Sequence, residues 1–578
     1  MAAAGLGTAC RDVVGRMGAL LGLGTQAVPR FEAAADVPHA GVLVALPALL
    51  ANGLLAEVDG RLPAPQGFYP QSQLILLMAF MALVRIRSLE QLRYQPCGEW
   101  GRILGLDRIP EVKTLRNRLR QLAAGDVKSW AEAMGQRWMK SDPDQAGILY
   151  VDGHVRAYHG AQTRLPERFS SRDRLCVRSL MDYWVNDSDG SPFFVVTAVG
   201  TEGLLYHLRE DIVPRLLREV PNQPTKDELA ADPDLHRFII VFDREGWSPE
   251  FFAELWTNHR IAVITYRKGR YDPWPHDRFH RLLVHLPHGN RVEMNLAEEP
   301  SCDLSTQDVR FREVRRLSEN RQHQTSIITT CRKLEISTIA VRCFARWSQE
   351  NFLHYATADL AIDRLAGYVP EPAPDTAEVR NPLWRDQDQQ LRRLRALRYD
   401  LNARIGRLAI TADEPADIER FVSQSAELQT QLTQAQDQID ALNAQQKTTP
   451  RRVALKALPE AQRPKLISPK RQQLINVLKI TAYRAETALA NILRESLSHP
   501  DEARSLAKDI FTQTADLIPD HEAKRLTVRL HHATNPQATR AVQRLLDELN
   551  TMEVVYPGTD TRIRYELVST PFPGNPEL

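Results

Sequence analysis

The sequence predicts an α/β protein built from several domains, and three observations point to this fold class. Its 578 residues are more than one domain of ordinary size holds. In the middle of the chain, short apolar runs rich in β-branched and aromatic residues alternate with helical patterns, which is typical of buried strands connected by helices. Over residues 384–446 the apolar residues follow heptad spacing, which predicts long packed helices.

Residues 1–140 are predicted to be helical. The candidate helices cover residues 41–54, 71–84, 88–94, 97–104 and 112–122. The last two are joined by a short turn that contains glycine, which indicates a helix-turn-helix. Its second helix carries Lys113, Arg116 and Arg118, and we expect these side chains to bind DNA. The alternative interpretation is a solvated basic face on a packing bundle.

Residues 145–370 are predicted to form the α/β core. The expected strands lie at 147–152, 175–185, 192–199, 238–242 and 261–266, and the expected helices at 204–219 and 249–259. Three strands, a helix, a strand and another helix in this order are typical of a ribonuclease H-like fold. Residues 271–330 interrupt the order with short β-rich pieces, which predict an inserted β-subdomain. A helix that begins near residue 337 then follows and holds Glu350.

Two aspartates directly follow apolar runs, and the glutamate lies on the later helix. Asp152 follows the run 148–151, and Asp243 follows the run 238–242. A carboxylate just past such a strand projects into the crevice where α/β sheets bind their ligands. Together with Glu350, these oxygen ligands suit two Mg²⁺ or Mn²⁺ ions, which promote phosphoryl transfer on nucleic acids.

Each aspartate also has an ordinary structural interpretation. An aspartate after a strand is more often a turn former or a helix N-cap than a metal ligand. After Asp243, however, the sequence Ser248-Pro249-Glu250 predicts the start of the next helix, with Ser248 as its N-cap. Asp243 is therefore not needed as the cap of that helix.

Three segments resemble the catalytic blocks of DDE transposases from bacterial insertion sequences. They are YVDGH at 150–154, VFDREG at 241–246 and RWSQENFLHY at 346–355. The match is closest to the subgroup with a strand-rich insertion before its glutamate, and it covers residues 40–370. The resemblance implies a ribonuclease H-like catalytic domain and metal-dependent DNA strand cleavage and transfer at the ends of a mobile element.

The resemblance also implies site residues and partners. Asp152, Asp243 and Glu350 match the catalytic metal ligands of that family. The expected partner is double-stranded DNA, both the element ends and the target, bound by a homodimer. His154, two residues past the first aspartate, is a candidate for phosphate contact or proton transfer, and a histidine of purely structural role is the alternative.

The glutamate helix of the subgroup carries the signature Tyr-x2-Arg-x3-Glu-x6-Lys. Arg346 and Glu350 fit it, and Arg346 is expected to pair with the glutamate or to contact DNA. Cys343 and Thr357 stand at the tyrosine and lysine positions. These two departures favour an alternative function, a DNA-binding descendant that no longer transposes. A metal-dependent nuclease that cuts without rejoining is a third interpretation.

The last two regions are predicted from heptads and from charge. Within 384–446, two heptad stretches flank a break at 411–415 that contains proline, which predicts an antiparallel coiled-coil hairpin, with self-association as the alternative. Residues 447–578 begin with a basic linker broken by prolines. A helix at 472–497 and a small α/β tail are expected next, with strands at 525–531, 552–556 and 562–568 and a helix at 536–549.

The composition limits how the protein can bind nucleic acid, zinc or a membrane. Lys and Arg number 74 against 72 Asp and Glu, so nucleic-acid binding must depend on local basic patches. The six cysteines form no CxxC pair, which indicates a reducing compartment and no structural zinc. The apolar run 74–84 is too short to cross a bilayer, and no export signal stands out. We expect a cytoplasmic protein of a prokaryotic cell.

Overall fold

The computed structural model of the protein has a mixed sheet of ten strands at its centre. The structure describes residues 12–24, 26–160, 165–170, 174–198, 202–285, 291–305, 309–320, 322–344, 347–367, 370–373, 378–407, 415–463, 465–531 and 535–568. Helices and strands both contribute, which confirms the predicted mixed α/β class.

The N-terminal region is helical apart from one short strand. Its elements are α1 (Val13–Leu20), β1 (Ala34–Val37), α2 (Leu46–Ala51), α3 (Gln71–Leu83), α4 (Cys97–Ile103), α5 (Val112–Leu122) and α6 (Val127–Ser141). The predicted helix at 41–54 is shorter, because a tight 3-10 turn at Ala40–Ala45 precedes α2. Helix α3 is apolar on all sides and almost wholly buried, as expected of a helix surrounded by other elements.

Strands β2 to β7 form one half of the central sheet. They are β2 (Ile148–Ala157), β3 (Glu167–Ser170), β4 (Leu175–Asn186), β5 (Pro192–Thr197), β6 (Ile239–Phe242) and β7 (Ala262–Tyr266). Strand β4 runs antiparallel between β5 and β2, whereas β2, β6 and β7 are parallel neighbours. All four residues of β6 are buried, as is typical of a central strand covered on both faces.

Four helices connect the strands of this half. They are α7 (Leu204–His207), α8 (Val213–Glu219), α9 (Lys226–Ala231) and α10 (Pro249–His259). A single π-helical turn at Leu208–Ile212 joins α7 to α8, so the predicted helix at 204–219 is nearly continuous. Helix α10 begins as predicted, because the Ser248 side chain accepts a hydrogen bond from the Phe251 N–H at 3.3 Å.

The inserted stretch extends the sheet. Its strands are β8 (His280–His285), β9 (Arg291–Glu299), β10 (Arg312–Leu317) and β11 (Gln324–Thr329). Strand β11 pairs with β7, and β10, β9 and β8 follow outward, all antiparallel. Two helical segments then follow, α11 (Ile336–Phe344) and α12 (Trp347–Ala358), which includes Glu350.

Two long helices pack antiparallel to each other after the core. They are α13 (Pro382–Arg407) and α14 (Pro415–Thr448), which follow β12 (Pro370–Pro372) and β13 (Glu378–Arg380). Arg395 near the middle of α13 bonds to Asn443 near the end of α14, and Arg398 bonds to Gln436. Part of the predicted break, residues 411–414, lies outside the described residues.

The stretch predicted as a linker contains two short strands. They are β14 (Arg452–Ala454), which pairs with β13, and β15 (Lys465–Ile467), which pairs with β12. The basic stretch is therefore tied to the chain that precedes the long helices. Helix α15 (Pro469–Arg494) then packs against α2, α3, α6 and β5.

The C-terminal elements complete a second sheet with the N-terminal region. They are α16 (Ala503–Thr512), β16 (Ala515–Asp520), β17 (Arg525–Leu530), α17 (Pro536–Thr551) and β18 (Arg562–Leu567). The strand order is β1-β16-β17-β18. The strand predicted at 552–556 is wrong, since only an isolated bridge at Val555 forms there. No helix in the described parts of the chain is long and apolar enough to cross a membrane.

Candidate active site

Asp152 and Asp243 lie side by side on neighbouring strands. On the parallel strands β2 and β6, Val151 pairs with Phe242, so the two aspartates are the next residues at the same level. Neighbouring strands lie about 4.8 Å apart. Both aspartates are partly exposed. Strand β6 ends just before Asp243, whereas β2 continues past Asp152 to Ala157. The hydrogen-bond register of the sheet therefore brings the two predicted carboxylates together.

The two aspartates belong to the sheet face that α11 covers. The Tyr150 hydroxyl donates to the Arg342 carbonyl at 2.9 Å, and side chains two residues apart on a strand share a face, so Asp152 is directed to the same side. Tyr266 on β7 is level with Asp243, and its hydroxyl contacts the Cys343 carbonyl at 3.4 Å. The carboxylates and the end of α11 therefore share one face.

Glu350 is placed by the residue before it. The Gln349 side chain is 1% exposed, and its amide donates to the Tyr150 carbonyl at 3.2 Å and the Trp184 carbonyl at 3.0 Å. A third contact joins it to Asn186 Oδ1 at 2.9 Å. Glu350 itself is exposed. The start of α12 is thus anchored on β2, two residues before Asp152, and on β4.

A glycine permits this close approach of α12 to the sheet. Gly190 lies in the turn between β4 and β5 with a φ of +87°. A Cβ atom at this position would lie 2.6 Å from the Ser348 carbonyl oxygen. Any other residue would therefore force the turn and the start of α12 apart.

The far end of α12 is held by a buried ion cluster. The Arg85 guanidinium donates to both carboxylate oxygens of Glu486 at 2.9 and 3.0 Å, to Asp359 at 3.1 Å and to the Tyr355 hydroxyl at 2.5 Å. Tyr355 and Asp359 lie at the end of α12, whereas Glu486 belongs to α15. Burial, reinforced by the Glu486 carboxylate, raises the pKa of Tyr355, so its hydroxyl stays a donor. Arg504 from α16 lies 3.6 Å from Glu486.

Both aspartates accept a hydrogen bond from the backbone that follows them. The Gly153 N–H donates to Asp152 Oδ1 at 2.9 Å, and the Arg244 N–H donates to Asp243 Oδ1 at 2.5 Å. Asp243 also lines a shallow cleft of about 490 Å³ with Arg244, Tyr266, His323, Thr325 and Phe344. The cleft gives a ligand direct access to the second aspartate.

The predicted DNA-binding residues occupy different positions. Lys113 and Arg116 are exposed on α5, whose apolar stripe packs inward, and Arg118 is partly exposed. Arg116 forms an ion pair with Glu90, and Arg118 donates to Gln121 at 2.9 Å. His154 is partly exposed and is directed to the same face as Asp152. Arg346 lies outside the described residues.

The donor set of the predicted site fits a hard divalent cation. Carboxylate oxygens on two adjacent strands are the ligands that Mg²⁺ and Mn²⁺ prefer. In the described part of the chain, two groups have three metal-ligating side chains within 4.8 Å of one another, namely Cys302, Asp303 and Glu313, and Asp36, Asp516 and His531, and neither group includes a carboxylate of the predicted triad. Glu313 pairs with Arg267 and Arg315, and Asp516 pairs with Arg529, so ion pairing accounts for these groups.

Sequence reasoning missed the residues that hold the glutamate helix. Gln349 lies in an ordinary polar stretch, and Arg85 and Glu486 are separated by 401 positions. Their roles depend on long-range packing, for which a single sequence carries no local signal. Only the burial of these polar side chains identifies them.

A protein-family model described as a transposase protein matches residues 5–569, nearly the whole chain. No curated protein matches the sequence.

Proposed function

Since this chain belongs to the transposase protein family, we propose that it is a DDE-type DNA transposase. It would cleave and transfer DNA strands at the ends of a mobile element in a metal-dependent reaction. One observation carries the proposal. Asp152 and Asp243 lie at the same level on adjacent parallel strands, and the helix that holds Glu350 is anchored on the first of these strands.

The strand order supports a ribonuclease H-like catalytic core. The order β5-β4-β2-β6-β7, with β4 antiparallel and the last three strands parallel, agrees with the fold predicted from the sequence. Strands β8 to β11 precede the helix of Glu350, as in the subgroup with an insertion. We assign residues 145–370 to this domain, 1–140 to a DNA-binding region, 384–446 to a coiled-coil hairpin and 447–578 to the C-terminal region.

The chain's own residues supply binding, orientation and charge. Asp152 and Asp243 would hold Mg²⁺ or Mn²⁺, with Glu350 completing the ligand set. Two such ions, when bound, lower the pKa of the attacking hydroxyl group and stabilise the leaving oxygen. Gln349 holds the glutamate helix on the strand of Asp152. In the proposed reaction a P–O bond to the attacking oxygen forms while the P–O3′ bond of the DNA strand breaks.

DNA is the substrate and partner in this proposal. Lys113, Arg116 and Arg118 on α5 would contact the phosphates of the element ends, and the protein would act as a homodimer on DNA. His154 would lie beside the reacting phosphate, since it shares the face of Asp152. These assignments extend the site from the carboxylates to the DNA that they act on.

A second candidate function is a DNA-binding descendant without cleavage activity. One observation favours it. Cys343 stands where the subgroup has a tyrosine, and its side chain is fully buried at the end of α11. It therefore offers no replacement for a contact between that tyrosine and DNA. All three carboxylates are retained, and for this reason we rank the active enzyme first.

Incubation of the protein with the ends of its own element and Mg²⁺ tests the proposal. We expect nicks at the 3′ ends and, with target DNA, joined products. Nicks without joined products would indicate the nuclease, and tight binding without nicks would indicate the descendant. Calorimetric titration with Mg²⁺ gives a second readout, in which Asp152→Asn should weaken binding of the ion.

A further inference from the structure

Two arginines and two aromatic rings form a continuous row of contacts that begins beside Asp243, with the two rings tilted by 54° to each other. The Arg244 guanidinium carbon lies 5.7 Å from the centre of the Tyr266 ring, and the Tyr266 and Phe344 ring centres are 6.2 Å apart. The Arg316 guanidinium carbon lies 4.9 Å from the centre of the Phe344 ring. We call these four residues the arginine–aromatic stack. It begins next to the second predicted metal ligand and ends in the inserted strands.

The stack lies on the same sheet face as the carboxylates. Tyr266 is level with Asp243 and pairs with Ile327 on β11, and Thr325 two residues away pairs with Arg316 on β10. Paired residues and residues two positions apart share a face, so this side of the sheet continues from Asp243 to Arg316. Thr325 lines both the cleft at Asp243 and a neighbouring cleft that includes Arg316.

In the described part of the chain, the side chains of Arg244 and Arg316 form neither an ion pair nor a hydrogen bond. Two neighbouring arginines differ, since Arg267 pairs with Asp303 and Glu313 and Arg315 pairs with Glu313. Glu319 is an exposed acid in the neighbouring cleft, but it is not paired with Arg316. Two guanidinium groups are thus exposed or partly exposed on the sheet face of Asp243.

An arginine that packs on an aromatic ring is well placed to bind a phosphate. A guanidinium over an aromatic face is attracted by the ring, and its N–H groups stay free in the guanidinium plane. That planar fork binds a phosphate through two parallel hydrogen bonds. Because the ring holds the side chain in place, less conformational entropy is lost when the phosphate binds.

We propose that Arg244 and Arg316 bind backbone phosphates of the DNA strand that lies in the active site. This inference rests on the proposed function, because it takes DNA as the substrate of the neighbouring carboxylates. It assigns to the insertion a direct part in holding the substrate. Arg244 lies next to Asp243 and would hold the phosphate closer to the reacting bond, whereas Arg316 would hold the strand further along the insertion.

The salt dependence of DNA binding tests the proposal. The probe is a short DNA duplex of arbitrary sequence, titrated without divalent metal so that cleavage does not interfere. Each phosphate contact contributes about 0.9 to the slope of log affinity against log salt. The double variant Arg244→Gln with Arg316→Gln should reduce the slope by about two units. A slope equal to that of the parent protein would overturn the proposal.

Two further variants separate charge from folding. Arg244→Lys with Arg316→Lys keeps both charges and should keep the slope of the parent. The matched control is Arg281→Gln, which removes an exposed arginine that pairs with Glu293 at the far edge of the sheet, and it should leave the slope unchanged. If the double glutamine variant does not fold, the single Arg244→Gln variant should reduce the slope by about one unit, and an unchanged slope again overturns the proposal.

Failure of the proposed function would give a different result. The slope measurement uses no catalysis, so it reports only on phosphate binding. If the parent protein never cleaves DNA but the double variant has a reduced slope, the phosphate site is supported and the transposase reaction is rejected. A protein that cleaves DNA, but shows the parental slope in the double variant, would reject the phosphate site alone.

Discussion

Gln349 donates a buried hydrogen bond to the carbonyl of Tyr150 at 3.2 Å, which ties the helix of Glu350 to the strand of Asp152. The bond spans 199 positions of the chain. The same amide contacts Trp184 and Asn186 on β4, so α12 is fixed on two strands at once. The proposed triad therefore depends on one side chain that is not itself a metal ligand.

Gln349→Met should destabilise the protein and reduce any cleavage activity. The substitution keeps the volume of the side chain but removes the two N–H donors that face the oxygens of Tyr150, Trp184 and Asn186, which costs about 1–3 kcal/mol. Gln349→Glu should cost more, because it places carboxylate oxygens against these acceptors. Urea denaturation measures both variants. Equal stability of the parent and both variants would show that the anchor is not formed.

Glu486→Gln should destabilise the protein strongly. Glu486 is fully buried, and the charge of Arg85 would lose its main partner, which typically costs about 3–5 kcal/mol. The matched control is Glu495→Gln at the exposed end of the same helix, whose pair with Arg544 should contribute only about 0–1 kcal/mol. Similar destabilisation of the two variants would contradict the role given to the cluster.

Lys479→Met should change the pH dependence of stability. Burial lowers the pKa of Lys479 to about 7 from its ordinary value of 10.5. Between these values the unfolded chain binds a proton that the folded protein does not, so the parent's free energy of unfolding should rise with pH. Lys479→Met should remove this rise, whereas Lys470→Met, an exposed lysine on the same helix, should keep it. Parallel pH profiles for all three proteins would contradict the prediction.

Glu90→Gln should strengthen DNA binding if α5 contacts phosphates. Arg116 pairs with Glu90 in the structure, so removing the acid frees its guanidinium for DNA. Neutralising Lys113, Arg116 and Arg118 together should instead weaken binding and lower the salt slope by about one unit for each phosphate that is no longer bound. Filter binding at several salt concentrations measures both effects. Unchanged affinities would assign α5 to packing.

The elements with clear local signals could be predicted from the sequence. The apolar run at 238–242 is β6, and Ser248 caps α10, because burial and capping depend on neighbouring residues alone. Strand β10 has no such signal, since its sequence REVRRL is mostly charged. Glu313 and Arg315 are buried there because they pair with each other and Glu313 also pairs with Arg267, which no hydropathy pattern indicates.

The pairing of distant segments could not be predicted in the same way. Strand β1 joins β16 across the whole length of the chain, and α15 is buried among helices of the N-terminal region. A single sequence gives no local signal for such pairing. For the candidate site, the position of Asp243 at the end of β6 followed from a local pattern. The predicted strand end at Asp152 was wrong, because β2 continues to Ala157 through its pairing with β4, and the anchoring of α12 by Gln349 followed only from tertiary packing.

The most direct test of the central claim is DNA cleavage by Asp243→Asn. The amide keeps the shape of the side chain but loses the charge that would hold the metal ion. Since Ser248 caps α10, the substitution should cost little stability. We expect Mg²⁺-dependent nicking of element ends to be abolished while DNA affinity stays close to that of the parent. The control Glu254→Gln on α10 should cleave normally. Cleavage by Asp243→Asn at the parental rate would contradict the assignment of Asp243 as a metal ligand.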